Sequence, residues 1–187
     1  MKIMKERQSI RDMTNIALMA ALMAVCAWIS VPVGGVPFTL QTRGVFCAVG
    51  LLGGKRGTIA VLLYLLMGAV GLPVFSGFTG GPGRLLGVTG GYLIGFVFTG
   101  LTYWLVTALA GGRMWSMVLG MALGCAVYYA FGTAWFMAVY ARGSGPIGLG
   151  AALMKCVAPY VLPDLVKIAL ALTLSRSVGR RLIPISN

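Results

Sequence analysis

The chain has 187 residues, of which 59% are apolar and only 10% charged, and its mean hydropathy is +0.94. Soluble domains carry about 45–50% apolar and about 25% charged residues, so this composition is that of an integral membrane protein. Fifteen Lys and Arg against three acids leave a net charge of +12, with no histidine. Glu6, Asp12 and Asp164 are too few to build both a carboxylate dyad and a separate acid/base pair. The lack of His removes the Ser-His-Asp triad and imidazole metal sites. Catalysis is not expected, and no cofactor is implied. Cys26, Cys47, Cys125 and Cys156 lie in apolar runs without CxxC spacing and read as small buried hydrophobes, not a disulfide framework.

A crossing of the hydrocarbon core takes about 20 apolar residues. The chain yields six such stretches. They run from Thr14 to Val31, Gln41 to Gly53, Gly57 to Val70, Thr89 to Ala110, Trp115 to Val139, and Ile147 to Leu174. The second is short, and Pro159 and Pro163 interrupt the last. The first follows Lys2, Lys5, Arg7 and Arg11 but continues past Trp28, longer than the apolar core of a signal peptide. Val25 stands where a lipoprotein cleavage site before Cys26 requires a small residue. Span one is therefore expected to be retained.

Positive charge sets orientation. Lys2, Lys5, Arg7, Arg11, Lys55, Arg56, Arg113, Arg176, Arg180 and Arg181 fall on one side, against Arg43, Arg84 and Arg142 on the other. Both termini are expected to be cytoplasmic, which accounts for the basic charge without nucleic acid. The cytoplasmic turns, Gly53 to Gly57 and Gly111 to Arg113, are minimal. The outer connections, Pro32 to Gln41 and Gly71 to Gly91, are longer, and the second is rich in glycine. Irregular backbone near a bilayer persists where it lines a cavity or packs on protein, so the outer connections read as a ligand lid. Gly50 to Lys55 resembles a phosphate loop only superficially, because Arg56 occupies the Ser/Thr position and no strand precedes it.

Asp164 and Lys167 are the most informative residues. Three positions apart, they share one helix face. Either charge placed toward lipid costs about 2.5–3.5 kcal/mol, so the pair points inward and marks a site. Pro163 suits a first helical turn, which predicts a helix restarting there with Asp164 beside open backbone amides. At the head of span two, Gln41 brings an amide that donates and accepts, and Arg43 a fixed cation. Tyr92, after Gly90 and Gly91, offers a ring wall and a hydroxyl. Tyr128 and Trp135 in span five read as packing. Ala17, Ala20, Ala21 and Ala24 follow the spacing of one helix face and suit close approach of a partner helix; Gly120 and Gly124 repeat a small-residue spacing.

Four segments carry a family resemblance: Val36-Pro37-Phe38-Thr39-Leu40-Gln41-Thr42; Tyr64 to Gly68 running into Gly71-Leu72-Pro73-Val74-Phe75; Thr89-Gly90-Gly91-Tyr92-Leu93; and Leu162-Pro163-Asp164-Leu165-Val166-Lys167. In order over residues 14–175, they resemble the BioY family, the biotin-specific S-components of energy-coupling factor (ECF) transporters. The resemblance implies an all-α integral membrane protein of S-component type. It would be a monomeric six-transmembrane-helix bundle in the plasma membrane of a prokaryote. Residues 1–187 would form one substrate-binding domain, with a basic cytoplasmic N-terminus (1–13), an outer loop (71–91) and a basic cytoplasmic C-terminus (176–187).

It also implies partners, a transmembrane coupling protein and two cytoplasmic ATPases, with ATP used only through them. The alanine face, Ala17, Ala20, Ala21 and Ala24, corresponds to the surface by which such components dock on the coupling protein. Biotin offers two ureido N–H donors, a ureido oxygen and a valerate carboxylate. Asp164 would accept from N–H groups, and Lys167 would serve the ureido oxygen or hold Asp164 ionised. Arg84 or Arg43 would meet the valerate, with Gln41 and Thr39 as neutral partners. Phe38, Phe75, Gly91 and Tyr92 would wall the bicycle. Ser76 and Thr79 stand in the Gly-rich loop where members of the family often carry Asn or another amide. The alternatives are an S-component for thiamine or riboflavin, or a small membrane enzyme or passive channel.

Overall fold

Residues 2–33 and 36–182 are described in the computed structural model, with side chains for 8–31 and 37–177. Lys2, Lys5, Glu6, Arg7, Arg180 and Arg181, and the loop stretch Pro32 to Val36, therefore lie outside the described side chains. The described elements are α1 (Lys2–Trp28), β1 (Ser30–Val33), β2 (Val36–Thr39), α2 (Gln41–Ala69), α3 (Pro82–Leu86), α4 (Gly90–Ala110), α5 (Met114–Ser144), α6 (Leu149–Cys156) and α7 (Ala158–Leu182). Five helices are long and apolar enough to cross a membrane: α1 over Gln8–Trp28, α2, α4, α5, and α7 over Ala158–Ser177. More of α2 is buried than of any other, since it packs on α1, α4 and α7 while α4 also pairs with α5. Leu18, Leu66, Leu105, Leu109, Leu119 and Leu162 stay exposed, as side chains bathed in lipid can.

Helix α2 is not straight. Gly53 has φ 79° and ψ 170°, a conformation essentially reserved for glycine. In an unbroken helix Val49 and Gly57 would be about 12 Å apart. Here a Cβ placed on Gly57 would lie 2.6 Å from Val49 Cα. The chain therefore doubles back, and 41–52 and 54–69 lie against each other as two limbs. The expected spans from Gln41 to Gly53 and Gly57 to Val70 correspond to these limbs, with Lys55 and Arg56 in the first turn of the second.

Three features differ from expectation. The architecture is all-helical as expected, but the connection after α1 adds a short antiparallel hairpin pairing Ser30 with Thr39, Val31 with Phe38 and Val33 with Val36. Valines and an aromatic on either side of two glycines are a hairpin pattern, and the paired Pro32 and Pro37 are tolerated because both strands are edges. The second difference is that the apolar stretch from Ile147 to Leu174 divides at Val157, which breaks helical geometry between α6 and α7 (φ −123°, ψ −54°). The third follows from it. Pro159, not Pro163, lies in the first turn of α7, where its missing amide costs nothing, and Pro163 falls inside the helix. Asp164 is thus about 9 Å along α7 and not beside open amides.

Basic residues collect at the end remote from the hairpin. Arg56 pairs with Asp12 at 2.8 Å, and the Arg176 guanidinium reaches the Met114 sulfur beside Arg113. Gly50 meets Ser175 near the same end, where Ser116 caps the turn by donating to Gly111 and Arg113 carbonyls.

Candidate functional site

At the opposite end, α7 presents Asp164 and Lys167 toward α2 and α5. Lys167 Nζ donates to Asp164 Oδ1 at 2.7 Å, to Thr42 Oγ1 at 2.8 Å and to the Thr39 carbonyl at 2.8 Å. An ammonium has three protons, and all three are used. Asp164 Oδ1 also accepts from Thr42 Oγ1 at 3.0 Å, while Oδ2 accepts from the Tyr128 and Tyr129 hydroxyls at 2.7 and 2.6 Å. A carboxylate has about four acceptor positions, and four donors fill them. Asp164 and Lys167 are only 2% and 4% exposed. Such burial is tolerated only where every lone pair and proton is matched, as here. The Phe38 ring lies 4.5 Å from Lys167 Nζ and adds a cation–π contact.

This cluster forms one wall of a cavity of about 620 Å³, its mouth included. The hairpin supplies Pro37 and Thr39, the head of α2 Gln41 and Thr42, and the Gly-rich loop Phe75 and Ser76. Arg84 comes from α3, and Thr89, Tyr92, Leu93 and Phe96 line the head of α4 and its first turns. Tyr128, Cys156, Tyr160, Asp164 and Lys167 complete it from α5, α6 and α7. The mix of apolar wall with a few convergent polar groups suits a small organic ligand. Arg84 is partly exposed, and its side chain makes no hydrogen bond or ion pair among the described residues. Its guanidinium is free to take an anion.

The cavity brings together Asp164, Lys167, Gln41, Thr39, Phe75, Ser76, Arg84 and Tyr92, which the sequence singles out. Phe38, Thr79 and Gly91 are not on it. Phe38 instead stacks on Tyr160 and backs Lys167. Thr79 donates to the Ser76 carbonyl and closes a tight loop onto Phe75. Gly91 is a packing position, since a Cβ there would come 2.2 Å from Trp135 Cβ where α4 meets α5. Arg43 faces Cys26 and Cys47, away from the cavity.

Tyr128, expected as packing, lines the cavity and bonds Asp164. Thr42 and Tyr129 were not anticipated either. Two adjacent tyrosines inside an apolar span are the signal that points to them, because buried hydroxyls need partners. Tyr160 precedes Asp164 by four residues, the spacing of one face of α7, while Cys156 ends α6 just before the break at Val157.

The alanine face of α1 divides. Ala20 and Ala24 are buried in the core that α1 shares with α2, whereas Ala17 and Ala21 are exposed. Of the four alanines expected on one docking face, Ala20 and Ala24 pack within the bundle and Ala17 and Ala21 lie on its surface. Gly120 and Gly124 likewise meet Tyr103 and Thr99 of α4.

Known proteins resemble this chain in sequence and in fold. The chain is 38% identical over 161 residues to the biotin transporter BioY of Thermotoga maritima, covering 86% of this chain and 91% of that protein. It is 37% identical over 166 residues to the probable biotin transporter BioY of Pyrococcus horikoshii, covering 88% and 94%. A crystal structure of the S-component for biotin from an ECF-type ABC transporter superposes with a TM-score of 0.81 at 27% identity, covering 94% of each chain. A model of the BioY family matches residues 4–183. With that match spanning nearly the whole sequence, the chain belongs to the BioY family.

Proposed function

We propose that this chain is the biotin-binding S-component of an ECF transporter, a multi-pass plasma-membrane protein of a prokaryote and not an enzyme. It works with partner modules of that transporter, taken here as a transmembrane coupling protein and two cytoplasmic ATPases. The observation that carries the reading is the cavity's polarity. A guanidinium unpaired among the described residues, that of Arg84, shares one open-mouthed cavity with a buried polar wall from α2 and α7 and with the rings of Phe75, Tyr92 and Phe96. Biotin has the complementary plan: an anionic valerate, an apolar tetrahydrothiophene edge and a neutral ureido ring.

In this reading Arg84 takes the valerate near water and the aromatic rings hold the bicycle. Asp164 and Lys167 shape the inner wall, and Asp164 meets a ligand N–H only by releasing one of the four donors it now holds. Counting the two limbs of α2 separately gives six crossings and puts both termini on one side. The basic end remote from the cavity supports that side being the cytoplasm. Residues 1–187 then act as one unit, with 71–91 as the outer loop over the site and 1–13 and 176–187 as cytoplasmic tails. Ala17 and Ala21 remain for docking on the coupling protein.

Purified protein in detergent is expected to bind biotin without ATP. Arg84→Ala should weaken biotin about ten- to hundredfold, the worth of a charged hydrogen bond. Biotin methyl ester should bind both forms alike. No biotin binding by the wild type, or displacement of biotin by equimolar thiamine or riboflavin, overturns the assignment.

A further inference from the structure

The filled coordination of Asp164 leaves open which group in the cavity receives a ligand N–H. All four acceptor positions of its carboxylate are occupied by Thr42, Lys167, Tyr128 and Tyr129. Gln41 lines the same cavity, is 3% exposed, and has its side-chain nitrogen 2.8 Å from the Tyr64 hydroxyl. That hydroxyl is 3.1 Å from the Val74 carbonyl in the outer loop.

The direction of these bonds is forced. A carbonyl oxygen only accepts, so Tyr64 must donate its one proton to Val74. The Tyr64 oxygen is then left to accept from Gln41, and an amide can serve it only with its NH₂ group. The Gln41 carbonyl oxygen is thereby turned the other way. It takes no hydrogen bond from the described residues, yet it is not among the sealed, unsatisfied buried atoms, so it opens on the cavity that Gln41 lines. Tyr64 is itself fixed. It is fully buried, and its ring meets Phe75 edge to face with centroids 5.5 Å apart.

We infer that Tyr64 is a positioning residue that locks the Gln41 amide with its oxygen toward the ligand, making Gln41 Oε1 the cavity's acceptor for a ureido-type N–H. This rests on the biotin reading above and deepens it. A site that presents an acceptor rejects a ligand whose facing atom is also an acceptor, because two lone pairs then confront each other. Selectivity for an N–H at that point is thus set by a tyrosine outside the cavity, through a carbonyl of the loop that covers it.

The probes are biotin and its two cyclic-carbamate analogues, in which one or the other ureido N–H is replaced by a ring oxygen. Wild-type protein should prefer biotin over one of the two by about tenfold or more, the worth of a hydrogen bond plus the exposed acceptor. Tyr64→Phe keeps the ring against Phe75 but removes the hydroxyl that orients Gln41. The amide is then free to turn its NH₂ toward the ring oxygen, so the preference should collapse toward unity. Gln41→Leu should abolish it as well. Weaker biotin binding by Tyr64→Phe with an unchanged preference would mean a merely structural role and overturns the inference.

A ligand-independent measurement separates this from failure of the biotin reading. The Gln41 side-chain amide resonance, identified by its loss in Gln41→Leu, should shift in Tyr64→Phe before any ligand is added. An unmoved resonance refutes the lock whichever vitamin the protein carries. A resonance that shifts in Tyr64→Phe, together with a wild type that does not bind biotin, upholds the lock and removes the biotin reading alone.

Discussion

Asp164 and Lys167 are the buried charges among the described residues, and each is fully compensated. Each is nearly sealed from water, and each spends its whole hydrogen-bonding capacity on this chain. The surface pair Arg56 and Asp12 is about one-third exposed on each side chain, and pairs of that kind contribute little. Removing one buried partner leaves the other uncompensated, at about 3–5 kcal/mol. Asp164→Ala would strand Lys167 together with the hydroxyls of Tyr128 and Tyr129. Lys167→Met would strand the carboxylate and release the Thr39 carbonyl at the cavity rim. Both variants are expected to melt well below the wild type in detergent and to bind biotin poorly. Asp164→Leu combined with Lys167→Met should regain part of the stability, since no lone charge remains, but not the binding. Thermal unfolding followed by intrinsic fluorescence, beside equilibrium binding on the same preparations, checks this. A single variant with unchanged melting would show that the charges are not buried as described.

At the scale of elements, the bend at Gly53 decides whether the pocket forms, because it returns 54–69 alongside 41–52 and sets Tyr64 beside Gln41. A side chain at φ 79° and ψ 170° is strained by about 1–3 kcal/mol, although nothing crowds that position. Gly53→Ala should therefore lower the melting temperature while leaving biotin affinity nearly unchanged in the molecules that remain folded. Unchanged melting would place the bend elsewhere. The sequence announces this bend, since two glycines before two basic residues in an apolar run are a turn signal. It also announces Asp164 and Lys167 through charge in an apolar stretch and their spacing. It does not reveal which proline starts α7. Pro159 and Pro163 each fit a first turn locally, and only the break at Val157 separates them. Nor does it divide the alanines of α1, because Ala17, Ala20, Ala21 and Ala24 are chemically identical. Which of them is buried depends on where Met23 meets Gly44 across the α1–α2 interface. Tyr128 stayed hidden for a similar reason: an aromatic in a membrane span usually packs, and its hydroxyl partner lies 36 residues away in sequence.

For the whole molecule, the bundle separates a binding end from a basic end, with most of its remaining surface apolar. Lipid is as apolar as the side chains facing it, so a partner helix gains by close approach rather than by burial of greasy surface. Ala17 and Ala21, one turn apart and exposed on α1, permit that approach, whereas the leucines elsewhere on the surface hold a neighbour off. Ala21→Trp is expected to abolish biotin uptake by cells that carry the coupling module and to leave biotin binding by the purified protein intact. Ala20→Trp differs by one position and should do the reverse of a clean separation. It drives a large ring into the α1–α2 core and lowers melting, binding and uptake together. Measuring uptake and detergent binding for both variants distinguishes a surface for a partner from a seam within the bundle. Uptake that survives Ala21→Trp would move the docking surface off this face of α1.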